Sequence, residues 1–406
     1  MPRNSLNGKQ KAIYMLNKIR SWFTAAEKTI TTDHDQLDPS KKTILVIDDD
    51  IPQYDKSSGS KRLFELIKIF REMNLNVIFL PNDGLSTEPY ATKLAQLGVL
   101  VLQLSPDRKG MLKNLKGLLP RIDYAWVSRP MLNLEFQKIL KSKKQIRIIF
   151  DTVDLHYVRM QRQAKNEGNE KLFRKALKFK KLELKLANHA DATLTVTDTE
   201  KLLLEQEGIK NVYVIPNIHE IKPPSAKTFT ERSGIIFIGG YKHEPNVDAV
   251  KWLIKDIMPL VWKSLGDITV YLLGSYPSAE VNALAGEKVF VPGFLEEVDQ
   301  YFLNAKVFVA PLRYGAGMKG KIGQSLEFGL PIISTSIGVE GMDLIHKETA
   351  LIADEASDFA NQIIQLYQDE HLWKKIQENA VKSIEQYTPP VVSEKIQYLL
   401  DKLDLS

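Results

Sequence analysis

Residues 311–341 read PLRYGAGMKGKIGQSLEFGLPIISTSIGVEG. An apolar strand ends at Leu312, and a loop with Gly315, Gly317 and Gly320 follows. A helix is expected over about 319–329, and after Gly329 the run PIISTS reads as the next strand. The three glycines let backbone approach a ligand closely. Amides at the helix start, helped by the helix dipole, favour an anion there. Lys319 and Lys321 add charge at the same place, and a pyrophosphate is the ligand best matched to the device. A glycine-rich turn carrying two solvated lysines is the plainer reading of the same residues.

The strand–loop–helix pattern continues in both directions. Upstream lie GIIFIGG (234–240), a helix from Asn246 to Trp262, DITVYLLG (267–274), KVFVPG (288–293), a helix at 295–304 and KVFVAPL (306–312). Downstream come TALIAD (349–354) and helices from Glu355 on. Pro389-Pro390 interrupts these, so a last helix over 391–403 can turn back toward the N-terminal half. Before the polar, proline-bearing stretch 219–233, an expected interdomain linker, the pattern already runs once. TILVID (43–48), NVIFLP (76–81), GVLVLQL (98–104), YAWVS (124–128), IRIIFDT (146–152), ATLTVT (192–197) and NVYVIPN (211–217) are short apolar runs fit for buried parallel strands. A helix with Leu63, Leu66, Ile67 and Phe70 on one face lies between the first two, and a long charged helix covers about 167–189. The class is therefore α/β, with two Rossmann-like domains at 42–218 and 234–388. Their parallel sheets face across a cleft at the C-terminal ends of the strands, where such sheets bind ligands.

Composition agrees with this and removes other classes. The 406 residues exceed one ordinary core. Hydrophobic residues are 44% and charged residues 26%, as in soluble globular proteins. The net charge of +5 suits an anionic ligand or an acidic membrane surface without showing either. No cysteine is present, which excludes disulfides and cysteine-ligated metals. No apolar run is long enough to span a bilayer, and the basic start lacks a signal-peptide core, so a cytoplasmic protein is expected. Residues 1–41 stand apart: Ile13, Leu16, Ile19 and Phe23 can share a helical face flanked by Lys9, Lys11, Lys18 and Arg20. A surface helix followed by a polar linker is one reading; a contact of residues 1–30 with the inner face of the membrane is the other. HExxH, Walker-type and GxSxG motifs are absent.

Several ordered motifs give a more specific identity. The 311–341 segment resembles the donor-binding region of family-four glycosyltransferases (glycosyl transferases group 1), in the subgroup with a Gly-Ala-Gly loop followed by Lys-x-Lys. FIGGYKHEPNVDAVKWL (237–253) and VFVPGFLEEVDQYFLNAKVFVAPL (289–312) resemble the strands and helices leading to it. ILVIDDDIPQYDKSSGSKR (44–62) and IIFDTVDLHYVRMQRQA (148–164) resemble acceptor-domain motifs of bacterial members. The resemblance implies the GT-B fold and a retaining transfer of sugar from a nucleotide-diphosphate sugar to a glycan, lipid-linked or protein acceptor. It implies no cofactor, metal or nucleic-acid partner. Many relatives carry two glutamates eight positions apart that contact donor sugar and ribose; Ala316 and Gln324 occupy those positions here. Gln324 retains hydrogen-bonding capacity, whereas Ala316 does not, so backbone from Gly315 through Gly317 to Met318 is expected to hold the sugar. This departure supports a second reading, a non-catalytic nucleotide-sugar-binding protein or partner subunit of a transferase. A sugar-nucleotide epimerase ranks last, because its acid and histidine pattern is not evident.

The remaining candidates sit at strand ends. Ser58, Gly59 and Ser60 open the first helix, either as an N-cap or, by the resemblance, beside the donor phosphates. Tyr241 and Lys242 follow GIIFIGG, with Lys242 expected toward the phosphates and His243 and Glu244 capping a helix near Pro245. After IIFDT come Asp154 and His156, the expected catalytic pair; the resemblance implies that a histidine here meets the sugar or its first phosphate. Asp151 and Arg159 are expected on the acceptor side, with Asp50. The Asp48-Asp49-Asp50 run is not a receiver-domain acidic pair, because no phosphoacceptor aspartate ends the third strand. Nor does it fit a metal-binding Asp-x-Asp of the other glycosyltransferase fold. Glu327 is expected to be a solvated helix charge.

Overall fold

The computed structural model describes residues 37–104 and 106–405. The expected N-terminal helix and its membrane contact fall outside these residues. The apolar runs become strands because both faces of each are covered. β1 (Thr43–Asp48) is buried along its whole length, as are β2 (Asn76–Pro81) and β4 (Tyr124–Ser128). With β3 (Leu100–Val101), β5 (Arg147–Asp151), β6 (Ala192–Thr195) and β7 (Val212–Val214) they form one parallel sheet, ordered β3-β2-β1-β4-β5-β6-β7. The second sheet is β10-β9-β8-β11-β12-β13, also parallel. Its strands are β8 (Ile235–Ile238), β9 (Val270–Leu273), β10 (Val289–Gly293), β11 (Val307–Ala310), β12 (Ile332–Ser334) and β13 (Leu351–Ile352). The α/β class with two Rossmann-like sheets is thus the observed one. In each sheet the strand order reverses once, between β1 and β4 and between β8 and β11. Crevices open at such reversals, beyond the carboxyl ends of the strands.

Two expected helices differ in detail. The helix expected from Asn246 to Trp262 is broken into Glu244–Trp252, a π turn at Leu253–Ile257, and Met258–Leu265. Pro259 lacks the amide that a continuous helix needs at that place. The helix after the glycine loop runs only from Gly320 to Glu327, because Gly329 (φ 58°) turns the chain out in the left-handed conformation.

The last helix, Pro389–Asp404, leaves the second domain. Val392, Ile396, Leu399, Leu400 and Leu403 join the core built on Ile44, Val46 and Val77 of the first sheet. The segment 219–233 contains no helix or strand, yet parts of it are anchored: Phe229 is buried in the second core, and Arg232 packs on Trp373.

Candidate functional site

A cleft of about 660 Å³ lies where the strand reversals of the two sheets meet. That volume is in the range of small-ligand sites. On its second-domain wall the glycine loop takes a shape that side chains oppose: φ is 155° at Gly315 and 66° at Gly317. A Cβ at Gly317 would stand 3.0 Å from Cβ of Asp154, and one at Gly320 only 2.3 Å from Cβ of Ser58. The loop is therefore glycine-rich because it runs hard against the first domain. Among the described residues, no amide from Gly315 to Lys319 donates to a protein acceptor. Such a run at a helix start is an anion-binding surface.

The two loop lysines have different settings. Lys319 is buried; its Nζ donates to the carbonyl of Gly317 (2.6 Å) and reaches Glu340 at 3.3 Å. Lys321 Nζ donates to Asn246 Oδ1 and lies 4.3 Å from the centre of the Phe237 ring. Burial, then the neighbouring Lys319, pushes its pKa down to about 7. No carboxylate forms an ion pair with Lys321 among the described residues, so an anion entering the cleft can take that place.

On the first-domain wall, the helix Ser58–Glu72 points its N-terminus into the cleft. Ser57 caps it, accepting from the Ser60 amide at 3.2 Å, and the two hydroxyls bond to each other at 2.9 Å. Ser58 and Gly59 line the cleft, while the polar groups of Ser60 serve the cap. Asp154 also lines it, between His156 Nε2 (3.0 Å) and Arg159 Nη1 (2.5 Å). Burial works to raise the Asp154 pKa, but His156 and Arg159 outweigh it and hold the carboxyl below its usual range. His156 begins the helix His156–Glu167, whose first amides are capped by Glu183 at 3.0 and 2.9 Å. His156, expected to be catalytic, is not among the residues lining the cleft: its ring meets Asp154 and lies 6.3 Å from Phe179.

Most of the expected donor residues converge on this cleft: Gly315, Ala316, Gly317, Met318, Lys319, Lys321 and Gln324 all line it, and so does Arg159. Others do not reach it. Asp151 is fully buried beneath it, bound to Arg62 Nη1 (2.6 Å) and Trp126 Nε1 (2.9 Å), because a carboxylate at the end of a central strand must find buried donors. Tyr241 is packed in the second core beside Phe237. Lys242 is exposed and lies 3.8 Å over the Tyr276 ring. Asp50 is exposed and off the cleft lining. Glu327, expected to be solvated, is only 2% exposed; it accepts from Lys61 and contacts His219 Nδ1, each at 2.7 Å. The cause is the crossing segment, which lays His219 against Gly323, where a Cβ would meet the ring at 2.1 Å.

Sequence reasoning missed three site residues. Arg129 (φ 67°) lines the cleft at the β1/β4 reversal, bound to Asp48 at 2.8 Å and Asp49 at 3.2 Å. Strained non-glycine residues gather at functional sites, and Val153 (φ 63°) beside Asp154 is another. An arginine before a proline at a strand's end was the available signal. Arg162 and Glu340, from opposite domains, form a two-point pair at 2.6 and 2.7 Å. Arg162 sits one helical turn beyond Arg159.

Comparison with known proteins agrees with this architecture. The family model described as Glycosyl transferases group 1 matches residues 232–369, the second domain. A Klebsiella pneumoniae protein described as an uncharacterised 44.6 kDa protein in the cps region is 26% identical over 191 residues, 45% of this chain. The match spans 49% of that relative's length. Among solved structures, HepE of Anabaena in complex with UDP and glucose superposes with a TM-score of 0.66 at 14% identity, covering 89% of this chain and 100% of that one. Sucrose-phosphate synthase of Thermosynechococcus elongatus gives 0.65 at 14%, over 90% and 100%. A mutant of S. aureus TarM in complex with fondaparinux, α-GlcNAc-glycerol and UDP gives 0.66 at 12%, over 89% and 99%. The resemblance to glycosyl transferases group 1 stands, and the fold is GT-B.

Proposed function

We propose that this glycosyltransferase moves a sugar, with retention of anomeric configuration, from a nucleoside diphosphate sugar to an acceptor hydroxyl. The observation that carries the reading is the amide run Gly315–Lys319, unpartnered among the described residues, beside Lys321, with the N-termini of the helices Gly320–Glu327 and Ser58–Glu72 meeting in one cleft. Fixed amides and cations of this kind stabilise the charge that builds on a departing diphosphate. The two neighbours bound to UDP support the same ligand class.

In this reading the diphosphate rests on the loop and Lys321. Gln324, about one turn into the helix, faces the ribose. The base lies toward Phe294, Leu295 and Val298, the apolar part of the lining. The sugar lies toward Asp154 and Arg129. The bond between the anomeric carbon and the β-phosphate oxygen breaks, with its electron pair leaving on the phosphate. The acceptor oxygen bonds to that carbon on the same face, and its proton passes to the departing phosphate oxygen. No protein nucleophile and no metal ion takes part. The acceptor is a glycan, lipid-linked or protein hydroxyl entering from the first domain; the cps-region relative favours a polysaccharide.

A donor-hydrolysis assay over a panel of sugar nucleotides tests this. Release of free nucleotide by the wild type and its loss in Lys321→Met support the transferase. Tight nucleotide-sugar binding without release under any acceptor favours the non-catalytic alternative, for which Ala316, lacking a side-chain contact to the sugar, is the motivating residue.

A further inference from the structure

We infer that Arg162 is a positioning residue that fixes the shape of the donor loop from the opposite domain, acting through Glu340 and the carbonyl of Gly315. Arg162 Nη1 donates to the Gly315 carbonyl at 2.8 Å and to Glu340 Oε2 at 2.6 Å, while Nη2 takes Glu340 Oε1 at 2.7 Å. Glu340 Oε2 also takes Lys319 Nζ, which in turn holds the Gly317 carbonyl. The two glycine carbonyls of the loop are thus each gripped by a cation, and both cations share one carboxylate. Fixing the carbonyls of Gly315 and Gly317 leaves the intervening amides free for an anion.

The helix that carries Arg162 also presents Arg159 to Asp154, so one rigid element touches the sugar side of the cleft and the donor loop together. A planar guanidinium spans a carboxylate and a carbonyl in a way a lysine cannot. Lys319 then serves the loop's shape, and Lys321 is left as the phosphate cation. Arg162 and Glu340 contact the loop only from outside the cleft lining.

The inference rests on the nucleotide-sugar reading, and the test separates the two. Calorimetric titration with UDP, GDP, ADP, CDP and dTDP is carried out on the wild type, Arg162→Gln, Arg162→Lys, Glu340→Gln and the double variant Arg162→Gln/Glu340→Gln. Failure of every diphosphate to bind the wild type defeats the nucleotide reading itself. With binding established, Arg162→Gln and Glu340→Gln are each expected to weaken it about tenfold, within the range of coupling between sites. The double variant should be no weaker than the worse single variant, because the pair acts as one unit. Arg162→Lys should recover less than half of the loss on a logarithmic scale. Ligand-free melting temperatures should move little in Arg162→Gln and Arg162→Lys, since Arg162 is partly exposed, and further in Glu340→Gln, which also leaves buried Lys319 without its carboxylate. Affinity within twofold of wild type in Arg162→Gln, or single effects that multiply in the double variant, overturns the proposal. So does a fall in affinity matched by a collapse in melting temperature in all variants, the mark of a purely structural contact.

Discussion

Lys321 offers a sharp quantitative test, because its ammonium group lies in the cleft without a carboxylate partner among the described residues. Burial and Lys319 hold its pKa near 7 when the cleft is empty. A diphosphate bound against Nζ favours the charged form and returns the pKa toward that of an ordinary lysine. Binding must therefore take up a proton wherever the free side chain is neutral and the bound one charged. At pH 8 about 0.9 of the free side chains are neutral, so about 0.9 proton is taken up per nucleotide bound. The sign is definite: affinity falls as pH rises above 7, by about fiftyfold between pH 7 and pH 9. Lys321→Met removes the group while Asn246 keeps its bond to the Gly240 carbonyl at 2.8 Å. In that variant affinity should be flat over the same range. It should be weaker than wild type by about 10–100-fold at pH 6.5, the worth of a charge-assisted hydrogen bond, and that gap should close as pH rises. Titration calorimetry in two buffers of different ionisation enthalpy measures both the affinity and the proton uptake. Wild-type affinity constant within threefold from pH 7 to 9, or an equal fall in Lys321→Met, refutes the assignment of Lys321 to the phosphates.

Asp154→Asn should leave the fold intact and lower kcat for transfer about a hundredfold, since it removes a carboxylate that both lines the cleft and holds His156 and Arg159; steady-state kinetics decide this, and kcat within threefold of wild type speaks against a role at the sugar. Asp151→Asn, by contrast, should destabilise the protein by about 3–5 kcal/mol in denaturant unfolding, because it breaks a buried ion pair with Arg62. Gly323→Ala should cost about 1–3 kcal/mol in the same measurement, as its methyl group would collide with His219. Chelation with EDTA should leave transfer within twofold of its untreated rate, because Lys321 and the loop amides carry the leaving-group charge in this mechanism.

The fold was legible in the sequence because its signals are local. TILVID, YAWVS and KVFVAPL are buried on both faces, and a strand buried on both faces is apolar along most of its length, with polar residues kept to its ends. The donor loop was legible for a similar reason, since the positive φ at Gly315 and Gly317 leaves a glycine signature in the chain itself. The other wall was harder to read because its chemistry depends on partners far away in sequence. Asp151 looks like an acceptor-side acid until Arg62 is found against it, 89 residues earlier. Glu327 looks solvated until Lys61 and His219 close over it. Arg162 and Glu340, 178 residues apart, gain meaning only once the two domains are side by side. Tyr241 failed for a simpler reason: a residue just past a strand can turn into the core as readily as into the cleft.

In the proposed complex a nucleoside diphosphate sits between the two sheets with its phosphates on the loop Gly315–Lys321. A crystal structure of the wild type with the tightest-binding diphosphate tests it directly. The phosphate oxygens are expected within about 3 Å of Lys321 Nζ and of at least two loop amides, with the base toward Phe294. A nucleotide bound outside the cleft, or one in the cleft whose phosphates are held by the Arg129–Asp49 region while Lys321 keeps its bond to Asn246, contradicts it.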